Sequence, residues 1–217
     1  METIGLLIDF ILHIDKHLLE ITLNYGAWTY LILFLIVFCE TGFVVTPFLP
    51  GDSLLFAAGA LAGAGSLNVY IVSGLLLLAA ITGNASNYAI GSYIGPRVFE
   101  WKDSRIFKKE YLERTQAYFE KYGAKTIVVA QFVPIVRTFS PFLAGVGKMR
   151  YLKFATYNVV GAVAWNVSFV FGGYFFGGLP FIKNNFTLVI FVIIGISLMP
   201  AIVEAVRSRR RSAAEAE

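Results

Sequence analysis

TIVVAQFVPIVRTFSPFLAGVG, residues 126–147, is 22 residues long, apolar almost throughout, and bordered by basic residues at both ends. Of the eighteen Lys and Arg residues, eight lie between Arg97 and Lys125, three between Lys148 and Lys153, and four between Arg207 and Arg211. Basic residues collect on the cytoplasmic side of membrane proteins, so all three clusters belong on that face. The stretch 126–147 therefore begins and ends on one side and cannot cross once. Pro134 and Pro141 interrupt it, and a re-entrant hairpin, in from the cytoplasm and back out, is the simplest path.

The surrounding sequence suits a lipid-embedded chain. It is 57% hydrophobic and 15% charged, with mean hydropathy +0.69, against about a quarter charged for ordinary soluble domains. The net charge of +4 does not point to nucleic acid, because the basic residues sit in short clusters between apolar runs. With a single cysteine, Cys39, no intrachain disulfide can form. Apolar runs cover roughly 25–49, 54–94, 126–146, 154–182 and 186–206, and a span needs about 20 residues.

Residues 154–206 join two cytoplasmic clusters over 53 residues, with a turn signal at Gly177, Gly178, Pro180 and 183–185, so two spans fit. In the first half, a cytoplasmic N-terminus leads to a span ending near Thr46. The piece at about 47–66, broken by Pro47, Pro50 and Gly51, is too short for a clean crossing and becomes a second hairpin, entering from outside. A span back to Gly95 follows. The predicted fold is an all-α polytopic membrane protein with two inverted re-entrant helical hairpins, about four transmembrane helices and an N-terminal amphipathic helix. Residues 1–24 form that surface helix, with Leu7, Ile11, Ile14, Leu18 and Ile21 on one stripe and Asp9, His13, Lys16 and Glu20 on another. It is retained rather than cleaved as a signal peptide. Residues 25–206 form one membrane domain with a cytoplasmic loop at 97–125, and 207–217 form a basic cytoplasmic tail. Within the loop, Phe107, Tyr111, Tyr118 and Tyr122 predict a helix over 105–122 on the membrane surface.

The hairpins echo each other. Phe48, Leu49, Pro50, Gly51, Asp52 with Ala58 and Gly59 parallels Phe132, Val133, Pro134, Ile135, Val136, Arg137 with Ala144 and Gly145. Inverted pairs of broken elements meeting near the midplane are how secondary transporters build substrate sites.

Glu40, Asp52 and Arg137 carry charge inside apolar segments. At about 2.5 to 3.5 kcal/mol each on insertion scales, they must face one another, a polar chamber or a ligand. A purely structural ion pair is the plain alternative. Two acids against one base leave a carboxyl that can take up a proton or a cation, so protons or sodium are the expected coupling partners, with Glu40 and Asp52 as the coupling residues. The guanidinium of Arg137 is a fork of donors matched to phosphate oxygens. Backbone amides freed near Pro134 or Pro141, with the Thr138 and Ser140 hydroxyls, complete an expected anion pocket, although back-bonding to the helix explains each hydroxyl alone. Gly83, Asn84, Ser86, Asn87 and Gly91 form a small polar patch, read either as close helix packing or as a cavity lining through Asn84 and Asn87. Trp28 and Trp101 are interfacial anchors, and Trp165 is packing.

Enzymatic chemistry is not expected. The only histidines, His13 and His17, sit on the N-terminal helix, and no Walker-type loop is present, so no metal site or cofactor is predicted.

Glu40-Thr41-Gly42 running into Pro47-Phe48-Leu49-Pro50-Gly51-Asp52-Ser53, and Phe132-Val133-Pro134-Ile135-Val136-Arg137-Thr138-Phe139 with Pro141, Ala144 and Gly145, resemble the DedA family of bacterial inner-membrane proteins, of the VTT-domain superfamily. The resemblance covers nearly the whole chain. It implies opposed hairpins, cytoplasmic termini, and transport of undecaprenyl phosphate or a related lipid from the outer to the inner leaflet, driven by the proton motive force. It also matches Glu40, Asp52 and Arg137 to the family's important acids and second arginine. Gly51, Ser53 and Gln131 join Arg137, Thr138 and Ser140 as expected substrate contacts. Two departures remove charge: Gln131 stands where relatives usually have arginine, and Asn84 where close relatives have aspartate. Membrane lipids are the expected partners, and the sequence is compatible with a homo-oligomer. Two alternatives remain, a proton-coupled exporter of small ions or drugs and a non-transporting membrane scaffold.

Overall fold

A computed structural model describes residues 14–43, 51–100 and 125–193, with 195 and 199. These are helical with short turns, and no strand occurs among them. In chain order the elements are α1 (Ile14–Tyr25), α2 (Trp28–Gly42), α3 (Gly51–Gly63), α4 (Val69–Glu100), α5 (Lys125–Ala130), α6 (Pro134–Val146), α7 (Tyr151–Phe176), α8 (Pro180–Asn184) and α9 (186–193). The expected surface helix at 105–122, the basic tail, and Pro47 and Pro50 lie outside the described residues.

Two helices are long and apolar enough to cross a membrane, Val69–Gly95 within α4 and Tyr151–Phe176. The Asn68 side chain starts the first by accepting the amides of Tyr70 and Ile71 at 3.0 and 3.2 Å, a proper N-cap. Its own amide donates to the Tyr30 hydroxyl at 2.9 Å. The second contains a π-helical turn at Val167–Phe171, immediately after Trp165 and Asn166.

The two echoed motifs become two helices of equal length, α3 and α6, 13 residues each. At 1.5 Å per residue each is about 20 Å long, short of a hydrocarbon core of roughly 30 Å. Helix α6 starts at Pro134, whose missing N–H costs nothing in the first turn. The break before it lies at 131–133, between α5 and α6. Pro141 was expected to interrupt the hairpin and does not: it sits inside α6. What it removes is one bond, to the carbonyl of Arg137, and the buried helix tolerates that loss.

Polar residues lie within an apolar interior: Asn84, Asn87, Asn158, Asn166 and the three charged residues are buried beside Leu54, Leu55 and Leu76, whereas Leu31, Leu35, Leu78 and Val160 are exposed. Buried charge with apolar side chains facing outward suits a protein surrounded by lipid. Helix α6 repeats the pattern, turning Arg137 and Ser140 inward and Val136 and Phe139 outward. Helix α1 lays Leu18 into the main core beside Leu33 and Leu54 while Glu20 stays exposed, and it packs on α2 and α3.

Glycine seams set the spacing of the helices. Gly59-x-x-x-Gly63 on α3 faces Gly173 on α7 and Gly177 just past its end, and a Cβ on Gly59 would strike the Val170 carbonyl while one on Gly173 would strike that of Phe56. Gly91 and Gly95 on α4 meet Phe142 and Val146 on α6 in the same way, and Gly42 on α2 meets Gly83 on α4. Small residues at such intervals let backbones approach closely, which drives association in lipid where hydrophobicity cannot.

Candidate functional site

Each seam carries one charged residue to a common point. Glu40 lies in the last turn of α2, held by the Gly42–Gly83 contact. Asp52 lies in the first turn of α3, held against α7. Arg137, on α6, reaches between them. Its Nη2 donates to Glu40 Oε1, and its Nη1 donates to Asp52 Oδ1 at 2.6 Å and to the Gln131 carbonyl at 3.4 Å. Exposures of 1%, 5% and 1% for Glu40, Asp52 and Arg137 take all three out of contact with lipid.

Helix dipoles support the acids. Both carboxylates sit at the N-terminus of α3, where unpaired amides favour negative charge. A Cβ at position 51 would run into the Glu40 carboxyl, so any residue larger than glycine there would have to displace it.

Trp165 completes the cluster. Its indole Nε1–H donates to the same Asp52 Oδ1 at 2.8 Å, and its ring lies 4.5 Å from the guanidinium carbon of Arg137. Read from sequence alone, Trp165 is a packing residue, and its bond to Asp52 is a role that reading misses. An aromatic in an apolar span carries no signal by itself, and the spacing of Asn158, Gly161 and Trp165 along one face of α7 was the one available hint.

The remaining expected residues divide. Ser53 and Ser140 are buried, and their hydroxyls have no hydrogen-bond partner. Gln131 lends its carbonyl to Arg137 while its side chain packs against Gly161. Thr138 is fully buried, and its carbonyl accepts from Asn87. Asn84 and Asn87, read as a possible cavity lining, instead stitch helices together. Asn87 Nδ2 spans from the Thr41 carbonyl at 3.1 Å to the Thr138 carbonyl at 2.7 Å, tying α2 to α6. Thr41 is one of the last carbonyls of α2, which the helix cannot itself satisfy. Asn84 donates to Asn158 Oδ1 at 2.8 Å, and Asn158 donates to the Ile81 carbonyl at 3.1 Å. Among the described residues, no group of three or more His, Cys, Asp or Glu side chains is placed to hold a metal ion.

Fold and site together define a helical membrane protein whose charged residues meet in its interior. Residues 49–175 match the VTT domain. Protein DedA of Escherichia coli K12 is 53% identical over 219 residues, covering 100% of both chains. An uncharacterized membrane protein of Mycobacterium tuberculosis is 46% identical over 180 residues, 82% of this chain and 79% of its own. The inner membrane protein YqjA of Escherichia coli is 31% identical over 153 residues, 70% of this chain and 69% of its own. No solved structure matches the chain. The chain belongs to the DedA family of VTT-domain proteins, and its place is the bacterial inner membrane.

Proposed function

We propose that this protein is a transporter rather than an enzyme: a flippase-like carrier moving undecaprenyl phosphate or a related lipid phosphate between leaflets, coupled to the proton motive force. The chain is multi-pass with both termini cytoplasmic, and α3 and α5–α6 belong to hairpins entering from opposite faces.

One observation carries this reading: a guanidinium at the meeting point of two short helices, with both terminal nitrogens committed to carboxylates. Those bonds make a closed state in which protein acids stand where a phosphate would. With both acids ionised the cluster is one negative charge in excess, which repels an incoming anion. Protonation of Glu40 or Asp52 removes that excess and releases a guanidinium nitrogen, so proton uptake and phosphate binding become linked. The acyl chain stays in lipid throughout.

Liposomes containing undecaprenyl phosphate, assayed with and without a proton gradient, test the proposal. Arg137→Ala abolishes flux if it is right; undiminished flux would remove Arg137 from its central role. The same ion triad, with each carboxylate bonded to Arg137, also favours a static scaffold. A scaffold would keep cellular complementation when Glu40, Asp52 and Arg137 are neutralised together, whereas a carrier would lose it.

A further inference from the structure

Arg137 Nη1 and Trp165 Nε1 converge on a single atom, Asp52 Oδ1, at 2.6 and 2.8 Å. Two donors from two helices aimed at one oxygen form an oxyanion seat, and in this state the seat is filled by the protein's own carboxylate. The indole ring also covers one face of the guanidinium, which holds Arg137 in place by cation–π attraction and restricts approach to its edge. Close by in sequence, the Ser53 and Ser140 hydroxyls are buried without partners. Ser53 follows Asp52 in the first turn of α3, and Ser140 lies three residues beyond Arg137, on the same inward face of α6.

We propose that Trp165 is a ligand-binding residue: when a phosphate displaces Asp52 from the seat, the indole N–H passes from Asp52 Oδ1 to a phosphate oxygen, which Arg137 Nη1 holds from the other side. This rests on the lipid-phosphate reading above and adds a second donor to it. A phosphate oxygen satisfies both donors as Oδ1 does, and the swap leaves neither buried donor unpaired. A charged phosphate oxygen accepts from both donors as strongly as the Asp52 carboxylate does, and a neutral headgroup oxygen makes the weaker hydrogen bonds, so the seat favours anionic phosphate.

Three tryptophans are present in the chain, so Trp28→Phe with Trp101→Phe leaves Trp165 as the sole reporter. In phosphatidylcholine nanodiscs, titration with undecaprenyl phosphate should shift the Trp165 emission and saturate. Inorganic phosphate added to the same nanodiscs separates the sources. A shift with lipid alone assigns the seat to a headgroup presented from the bilayer, and a shift with both assigns it to the phosphate group itself. In an otherwise unaltered chain, Trp165→Phe keeps the ring and removes the donor. The flux KM for undecaprenyl phosphate should then rise about tenfold, as expected for losing a hydrogen bond to a charged group, with kcat within about twofold. A merely structural tryptophan would lower kcat or the yield of folded protein and leave KM alone. An unshifted emission at saturating lipid, or an unchanged KM in Trp165→Phe while Arg137→Ala still abolishes flux, overturns the role of Trp165 alone. Flux that survives Arg137→Ala overturns the lipid-phosphate reading beneath it.

Discussion

Arg137 on α6 and Glu40 on α2, 97 positions apart in sequence, form an ion pair in which each side chain is 1% exposed. Removing one partner of such a pair strands the other, and the cost is large because lipid and packed helices offer no water to compensate.

Arg137→Ala should therefore lower thermal stability sharply, by about 3 to 5 kcal/mol, the range for breaking a buried pair. The combined variant Glu40→Gln, Asp52→Asn, Arg137→Met should regain most of that loss, since no charge is left stranded, yet carry no lipid flux. Thermal unfolding in detergent beside flux in liposomes checks both halves. A triple variant that remains as unstable as Arg137→Ala would show that charge pairing is not what the cluster supplies.

Asp52→Ala empties the oxyanion seat. The Arg137 and Trp165 donors lose their internal competitor, so undecaprenyl phosphate should bind roughly tenfold more tightly, as for any site whose competent state becomes the populated one. Turnover should fall, because nothing remains to eject the lipid. Equilibrium binding in nanodiscs compared with liposome flux reads the two effects, and weaker binding would contradict displacement of Asp52 by the ligand.

At the α3–α7 seam, Gly59→Ala and Gly173→Ala each push a methyl into the facing backbone. Each should cost about 1 to 3 kcal/mol, the usual penalty of overpacking, and should separate Asp52 from Trp165. Gly74, with nothing within 4 Å of its would-be Cβ, is the control, and Gly74→Ala should leave melting temperature and flux unchanged or slightly improved.

Asn87→Leu deletes both bonds that tie the Thr41 and Thr138 carbonyls. Two buried acceptors lose their donor, at about 1 to 3 kcal/mol for each group left unsatisfied. Asn68→Ala, at an exposed cap, should cost about 1 kcal/mol. Parallel melting curves of the two variants test that order, and equal losses would mean that Asn87 is replaceable as a stitch.

Much of this protein is legible in its sequence. Glu40, Asp52 and Arg137 stood out because charge in apolar sequence carries a solvation penalty that only a shared environment relieves, and they do share one. Of the echoed motifs, Phe48 to Gly59 and Phe132 to Gly145, the described parts lie on two 13-residue helices, Gly51–Gly63 and Pro134–Val146. Pro141 misled because a single missing bond breaks a helix only where nothing around it compensates. Asn84 and Asn87 permitted two readings because an amide in a span lines a cavity or bonds a neighbouring helix with the same composition.

The sequence by itself determined membrane residence, helical class and the identity of the charged residues, since each follows from the free energy of placing a side chain in hydrocarbon. Tertiary structure alone decided how those residues are paired. Which carboxylate meets which guanidinium nitrogen, and that an indole shares the same oxygen, depends on how closely helices distant in the chain approach one another. That distance is set by glycine contacts across the seams, which no single helix can specify.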